Sequence, residues 1–325
     1  MEISTLDWLL GSDEPWTRYR MLVDLLDQPE NEPEVRHARL AMLSHPQVIE
    51  LISHAHRRLD LPIKRHNDAS HPIYSIAALA DFGFRLGDPG IDRIVTSITS
   101  HQSADGGYQS TILIPKHFGG SGEPQLSWVL CDSPTLLYSL LSFSWPDYSA
   151  VKTGLSQLTG IVQENGWRCS ASPELGKFRG PGRREDPCPI ANVYALKALA
   201  LVPEYSDSAA ARIGAETILY HWEIQKERKF YLFGIGTDFR KIKYPFVWYD
   251  ILNVVDVLSR YPFLYQDARF LDMVNTLVHL SDDGELFKAA SMYRAWKGWS
   301  FANKRTPSPW LTFLVHIIQK RVNLL

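Results

Sequence analysis

Six times a proline stands at the head of an apolar run with helical character: Pro15, Pro72, Pro134, Pro189, Pro245 and Pro309, with 55 to 64 residues from one to the next. Proline suits the first turn of a helix, where its missing N–H removes no bond and its fixed φ is already helical. The runs that follow, among them PIYSIAALADFG, PTLLYSLLSFSW, PIANVYALKALA and PFVWYDILNVVDVL, are apolar on nearly every side. That is the pattern of helices buried all round. Between them lie more polar, amphipathic stretches at 33–57, 89–102, 147–164, 207–226 and 266–281. A unit of one amphipathic and one apolar helix buries little alone, so six such units must stack. The expected fold is all-α: an (α/α)6 toroid of six inner and about six outer helices, forming a single domain over residues 1–325.

Charge and composition narrow the function. With 34 Lys and Arg against 36 Asp and Glu, the net charge is −2 and the basic residues are scattered. No basic stripe suggests a nucleic-acid partner. No run approaches the ~20 apolar residues that span a bilayer, and the opening MEISTLDWLLGSDEPW has no basic segment before an apolar core. A cytoplasmic location is the expectation. Three cysteines do not make a disulfide framework in a chain of this length. The stretches 103–130 and 165–188 are too long for plain connections and read as functional loops.

Outer stretches end in a recurring turn: HQSADGGY at 101–108, QENGW at 163–167 and SDDGELF at 281–287. Glycine leaves a helix in the left-handed conformation, the aromatic packs against the next repeat, and Gln or Asp caps a neighbouring helix. With these turns the chain resembles the squalene cyclase and protein prenyltransferase superfamily, whose repeats carry Gln and Asp-Gly-Gly-aromatic at the ends of outer helices. The segment GKFRGPGRREDPCPIANVYAL at 176–196 is similar to the zinc-binding segment of prenyltransferase β-subunits. The resemblance places Asp186 and Cys188 on two of that family's zinc ligands. In VWYDILNVV, Asp250 stands where the family has its histidine ligand, a departure from the pattern.

The cysteines cluster before two successive inner helices. Cys131 lies three residues before Pro134, Cys188 one before Pro189, and Cys169 in the loop leading to that helix. Thiolates and imidazoles suit a tetrahedral Zn2+, so the expected metal set is Cys131, Cys169, Cys188 and His221, with His117 and Asp186 as rivals for the fourth place. Two other readings fit these thiols: buried small apolar groups, or a nucleophile whose pKa a helix N-terminus lowers.

Asp132, Asp186, Tyr249 and Asp250, all near inner-helix starts, are the candidate catalytic residues. Aromatics on the first turns of inner helices, such as Trp16, Tyr74, Tyr138, Tyr194 and Trp310, would line a central cavity for a small apolar or isoprenoid-like substrate. Lys177, Arg179, Arg183 and Arg184 could receive an anionic group. Neither the Asp-x-Asp-Asp nor the Asp-Asp-x-x-Asp motif of carbocation cyclases and ionising synthases occurs, and the Asp282–Asp283 pair sits in a turn. The resemblance thus implies a zinc-containing enzyme of the prenyltransferase and terpenoid cyclase-like class. The alternatives are a binding or scaffold protein with a structural zinc, a lanthionine cyclase-like enzyme lacking the family's Cys-His-Gly signature, and a carbohydrate-active α/α barrel.

Overall fold

The computed structural model describes the chain except for residues 1–3, 145–147, 177, 179–182, 231–232, 282–283 and 324–325. The described residues are mostly helical, as the sequence predicts. In chain order the helices are α1 (Thr5–Leu10), α2 (Pro15–Arg20), α3 (Pro33–Leu43), α4 (Pro46–Ala55), α5 (Pro72–Asp81), α6 (Ile91–Thr99) and α7 (Ser133–Ser142). They continue with α8 (Tyr148–Gly160), α9 (Pro189–Leu199), α10 (Pro203–Ser206), α11 (Ala209–Glu223), α12 (Ile251–Leu258), α13 (Ala268–Val278) and α14 (Pro309–Arg321). The predicted outer stretch 33–57 is two helices, because Pro46 cannot continue α3 and instead opens α4.

The chain divides into two compact units, one of Ile52–Gly236 with Val247–Tyr249, the other of Met1–Leu51, Thr237–Phe246 and Asp250–Leu325. In the first, α5, α7 and α9 pack side by side, with α6 and α8 against α7 and α11 against α9. Every residue of α9 is buried. By contrast α6 buries only Ile91, Ile94, Val95 and Ile98, one stripe at helical spacing. The inner and outer characters read from the sequence are therefore real differences in burial. Loop 103–130 carries structure the sequence did not announce, an antiparallel hairpin of β1 (Ser110–Leu113) and β2 (Pro124–Ser127), with Ser110 opposite Ser127.

The recurring turn has a mechanical role. In the first unit the backbone N–H of Tyr108 donates to Ser133 Oγ, and that of Trp167 to Asn192 Oδ1. In the second unit the N–H of Phe287 donates to Thr312 Oγ1. Each bond spans 25 residues. It pins the aromatic of the turn to the start of the following inner helix and satisfies a buried donor. Gly106, Gly166 and Gly284 have φ of 101°, 99° and 74°, the left-handed conformation that glycine tolerates. The acidic and amide residues differ from expectation: Asp105 accepts from the Trp128 indole N–H, and Gln102 donates to the carbonyls of Gly106 and Ala150. Neither caps a helix, because both side chains are drawn back to polar groups of the turn and its neighbours. Asp282 and Asp283 lie outside the described residues.

In the second unit α12, α14 and α2 lie side by side, with α13 on α12 and α3 on α2. α13 buries Phe270, Met273, Val274 and Leu277, again one stripe. Pro245 is the exception among the six prolines. It follows a cis Tyr244–Pro245 bond in a non-helical segment, and α12 begins only at Ile251, where Asp250 accepts the Asn253 N–H as N-cap. Buried Asp256 at the far end of α12 accepts from both Arg260 and Arg321, tying α12 to α14.

Candidate functional site

Backbone pairing in the first unit explains why three cysteines far apart in sequence share one neighbourhood. Leu130 donates its N–H to Ser170 (3.0 Å), Ser172 to Trp128 (2.8 Å) and Cys188 to Trp167 (2.8 Å). The strand-like segments through 128–131, 168–172 and 187–188 thus lie beside one another. Cys131 and Cys188 are buried, Cys169 is partly exposed, and all three are reduced.

The thiols of Cys131 and Cys188 are hydrogen-bonded to each other, and their acidities part. The bond from Cys131 lowers the Cys188 pKa; burial opposes it, while the N–H groups of Ala191 and Ile190 at the start of α9 and the charge of His66 assist it. The same bond, then burial, pushes the Cys131 thiol well up. Beside the pair, Asp132 leaves the helix-capping role its position suggests and bonds His66, with Nδ1 and Oδ2 2.9 Å apart. Burial alone would lower the His66 pKa. The charge and hydrogen bond of Asp132, with a smaller contribution from Cys188, outweigh burial and raise it.

The zinc expectation is overturned. Among the described residues, no group of three or more His, Cys, Asp and Glu side chains is arranged to hold a metal ion. The reason lies in how the donors are engaged. Cys131 pairs with Cys188, Asp132 with His66, and Asp186 with Arg228 at 2.5 Å. His221 is elsewhere, stacked on Phe230 with ring centroids 4.7 Å apart and bonded through Nδ1 to the Tyr249 hydroxyl at 3.0 Å. Its Nε2 accepts from the Phe230 N–H, and burial lowers its pKa to about 4, so it is neutral at pH 7. His117, the rival ligand, is exposed between β1 and β2.

The other candidates separate likewise. Tyr249 is buried against His221, and burial raises its hydroxyl pKa out of the range of a neutral-pH acid. Arg183 and Arg184 are exposed, while Lys177 and Arg179 fall outside the described residues. The first-turn aromatics Trp16, Tyr74, Tyr138, Tyr194 and Trp310 are buried, and the hydroxyls of Tyr138 and Tyr194 bond Asp81 and the Val247 carbonyl.

Asp250, in the second unit, is wholly buried with Oδ2 unpartnered, and burial raises its pKa from 3.8 to about 7 against the lowering by Lys243 and the Asn253 N–H. The folded state therefore holds a proton over pH 4–7 that the unfolded chain releases. Stability falls as pH rises through this window, by up to about 1.4 kcal/mol per unit. Asp250→Asn keeps the cap and removes the penalty. Urea unfolding should show Asp250→Asn more stable than wild type by about 2–4 kcal/mol at pH 8, with the gap largely closed near pH 4. A gap independent of pH would mean that Lys243 keeps the carboxylate ionised.

No family model matches the chain, and no curated protein matches it. His66 is the functional residue that sequence reasoning missed. It stands in the polar run KRHND, 66 residues from Asp132, with no spacing signal to join them.

Proposed function

We propose that this chain is a thiol-dependent acyltransferase or hydrolase in which Cys188 is the nucleophile and His66, oriented by Asp132, the acid–base group. The carrying observation is the Cys131–Cys188 thiol pair together with the His66–Asp132 hydrogen bond, whose groups influence one another's acidity. A cysteine, a histidine and a carboxylate in this relation are the parts that covalent acyl transfer needs. Cys188 thiolate attacks the acyl carbon, forming a C–S bond as the bond to the leaving group breaks, and the leaving group takes the proton from His66. An incoming water or amine then gives a proton to His66 and displaces the thiolate. Cys131 donates its S–H to the Cys188 thiolate between turnovers.

The scaffold for this chemistry is proposed to be an (α/α)6 toroid of the prenyltransferase and terpenoid cyclase-like class, with an apolar acyl substrate. Support comes from each unit by itself. Three inner helices lie side by side in each, with outer helices packed against them, and the turn-to-helix bond of 25 residues occurs in both.

Limiting iodoacetamide at pH 7, read by peptide mapping, tests the nucleophile. Cys188 is expected to label at least about ten times faster than the more exposed Cys169, and His66→Ala to remove that advantage. p-Nitrophenyl acetate should release one equivalent of p-nitrophenolate per chain in a burst that Cys188→Ser abolishes. Faster labelling of Cys169, with Cys188 inert until unfolding, would sink the reading in favour of a binding protein.

A further inference from the structure

A second site lies in the same unit, away from the thiols. A cavity of about 220 Å³ opens between the chain after α4 and the outer helix α6, lined by His56, Arg58, Asp60, Ile76, Arg93 and Ser97 among others. Arg58 is 1 % exposed, yet its partners are all neutral. One guanidinium nitrogen donates to the Gln109 carbonyl (2.5 Å) and Ser110 Oγ (3.2 Å), the other to the Ser97 carbonyl (2.7 Å) and Oγ (3.3 Å). Its Nε–H is buried without an acceptor. Among the described residues no carboxylate pairs with it. Burial alone lowers its pKa, to about 10, and it remains charged at pH 7.

A buried ion without a counter-charge is costly, and the carbonyl dipoles of the last turn of α6 offset only part of that. The surroundings supply more positive charge. Arg93 reaches the cavity from α6 and is exposed. His56 donates Nε2–H to the Gly90 carbonyl at 2.9 Å. Gly90, at φ 80°, keeps that carbonyl close, since a Cβ there would meet Ile52 at 2.5 Å. Asp60 is the one acid on the lining, and it is exposed.

We infer that this cavity is a binding site for a tetrahedral oxyanion, either free phosphate or the phosphate of a small monoester, with Arg58 and Arg93 as its cationic ligands. The anion accepts the Arg58 Nε–H, supplies the missing counter-charge, and is held from the open side by Arg93. At ~30 Å³ per water, the volume equals several waters, enough for phosphate and a small group on its ester oxygen. Ile76 gives that group an apolar floor.

Calorimetric titration of the full chain with inorganic phosphate and with phenyl phosphate, at constant ionic strength set by KCl, tests the site. Saturable 1:1 binding is expected, weakened at least about tenfold in Arg93→Gln, an exposed position whose change should leave folding intact. Arg58→Lys should also weaken binding, with its folding checked by circular dichroism. Tighter binding of phenyl phosphate would identify a monoester site, and equal binding a site for free phosphate. Absence of saturation with both ligands, or equal affinity in wild type and Arg93→Gln, would overturn the assignment.

Discussion

Asp81→Ala is expected to remove about 3–5 kcal/mol of stability, a large share of the ~5–15 kcal/mol that holds a folded domain together. Asp81, at the end of α5, accepts from Lys197 of α9 at 2.9 Å and from the Tyr138 hydroxyl of α7 at 2.6 Å. The ammonium lies over the Tyr138 ring, 4.2 Å from its centroid. Both charged side chains are under a tenth exposed. Coulomb attraction in this setting is strong but roughly balances desolvation, so the intact pair adds little by itself. Removing the carboxylate takes the counter-charge from a buried cation that lies over the Tyr138 ring. The double variant Asp81→Leu/Lys197→Met, in which neither charge needs hydration, should recover most of the loss. Urea melts of both variants provide the measurement, and a single-variant loss under about 1 kcal/mol would show that the pair behaves as a surface pair.

Trp167→Ala comes next, at about 3–5 kcal/mol. Trp167 is fully buried, its indole N–H donates to the Leu158 carbonyl at 2.8 Å, and its backbone N–H to Asn192. The ring fills a slot that helix α11 provides with Gly214, where a Cβ would stand 2.4 Å from Cζ3. Truncation opens a cavity among α8, α9 and α11 and leaves the Leu158 carbonyl without its partner. Trp167→Phe keeps most of the volume, so chemical denaturation should place it between wild type and alanine. Equal losses for Phe and Ala would assign the effect to the lost hydrogen bond rather than to the cavity.

Most inner helices were legible because five of the six prolines stand in the first turn of a helix and the apolar runs behind them leave no polar face. The QENGW turn was legible too, since Gly166 and Trp167 take the roles that their residue types favour. Pro245 misled because the apolar residues after it satisfy burial in a non-helical path, and burial is all that an apolar run specifies. Pairing between β1 and β2 was hidden because Ser110–Leu113 and Pro124–Ser127 are short and lack strict alternation.

The site divides along the same line. That Cys131, Cys169 and Cys188 gather near the starts of two adjacent inner helices follows from their places in the repeat. How they are engaged does not. A repeat fixes which residues share a neighbourhood, whereas the direction of each side chain is set by the nearest competing partner, which is often far away in sequence. Thus Asp132 turns to His66, Asp186 to Arg228 and His221 to Tyr249, and the expected four-ligand set dissolves into pairs.

The six prolines and the turns between them, by themselves, determined an all-helical chain of inner and outer segments, because helix initiation and periodic burial are local properties. Only the tertiary structure decided that Cys188 pairs with a second thiol and Asp132 with His66 rather than joining a metal set, and that Arg58 lies buried with no carboxylate partner among the described residues. Hydrogen bonding and desolvation act on groups brought together across the fold, and no local pattern encodes them.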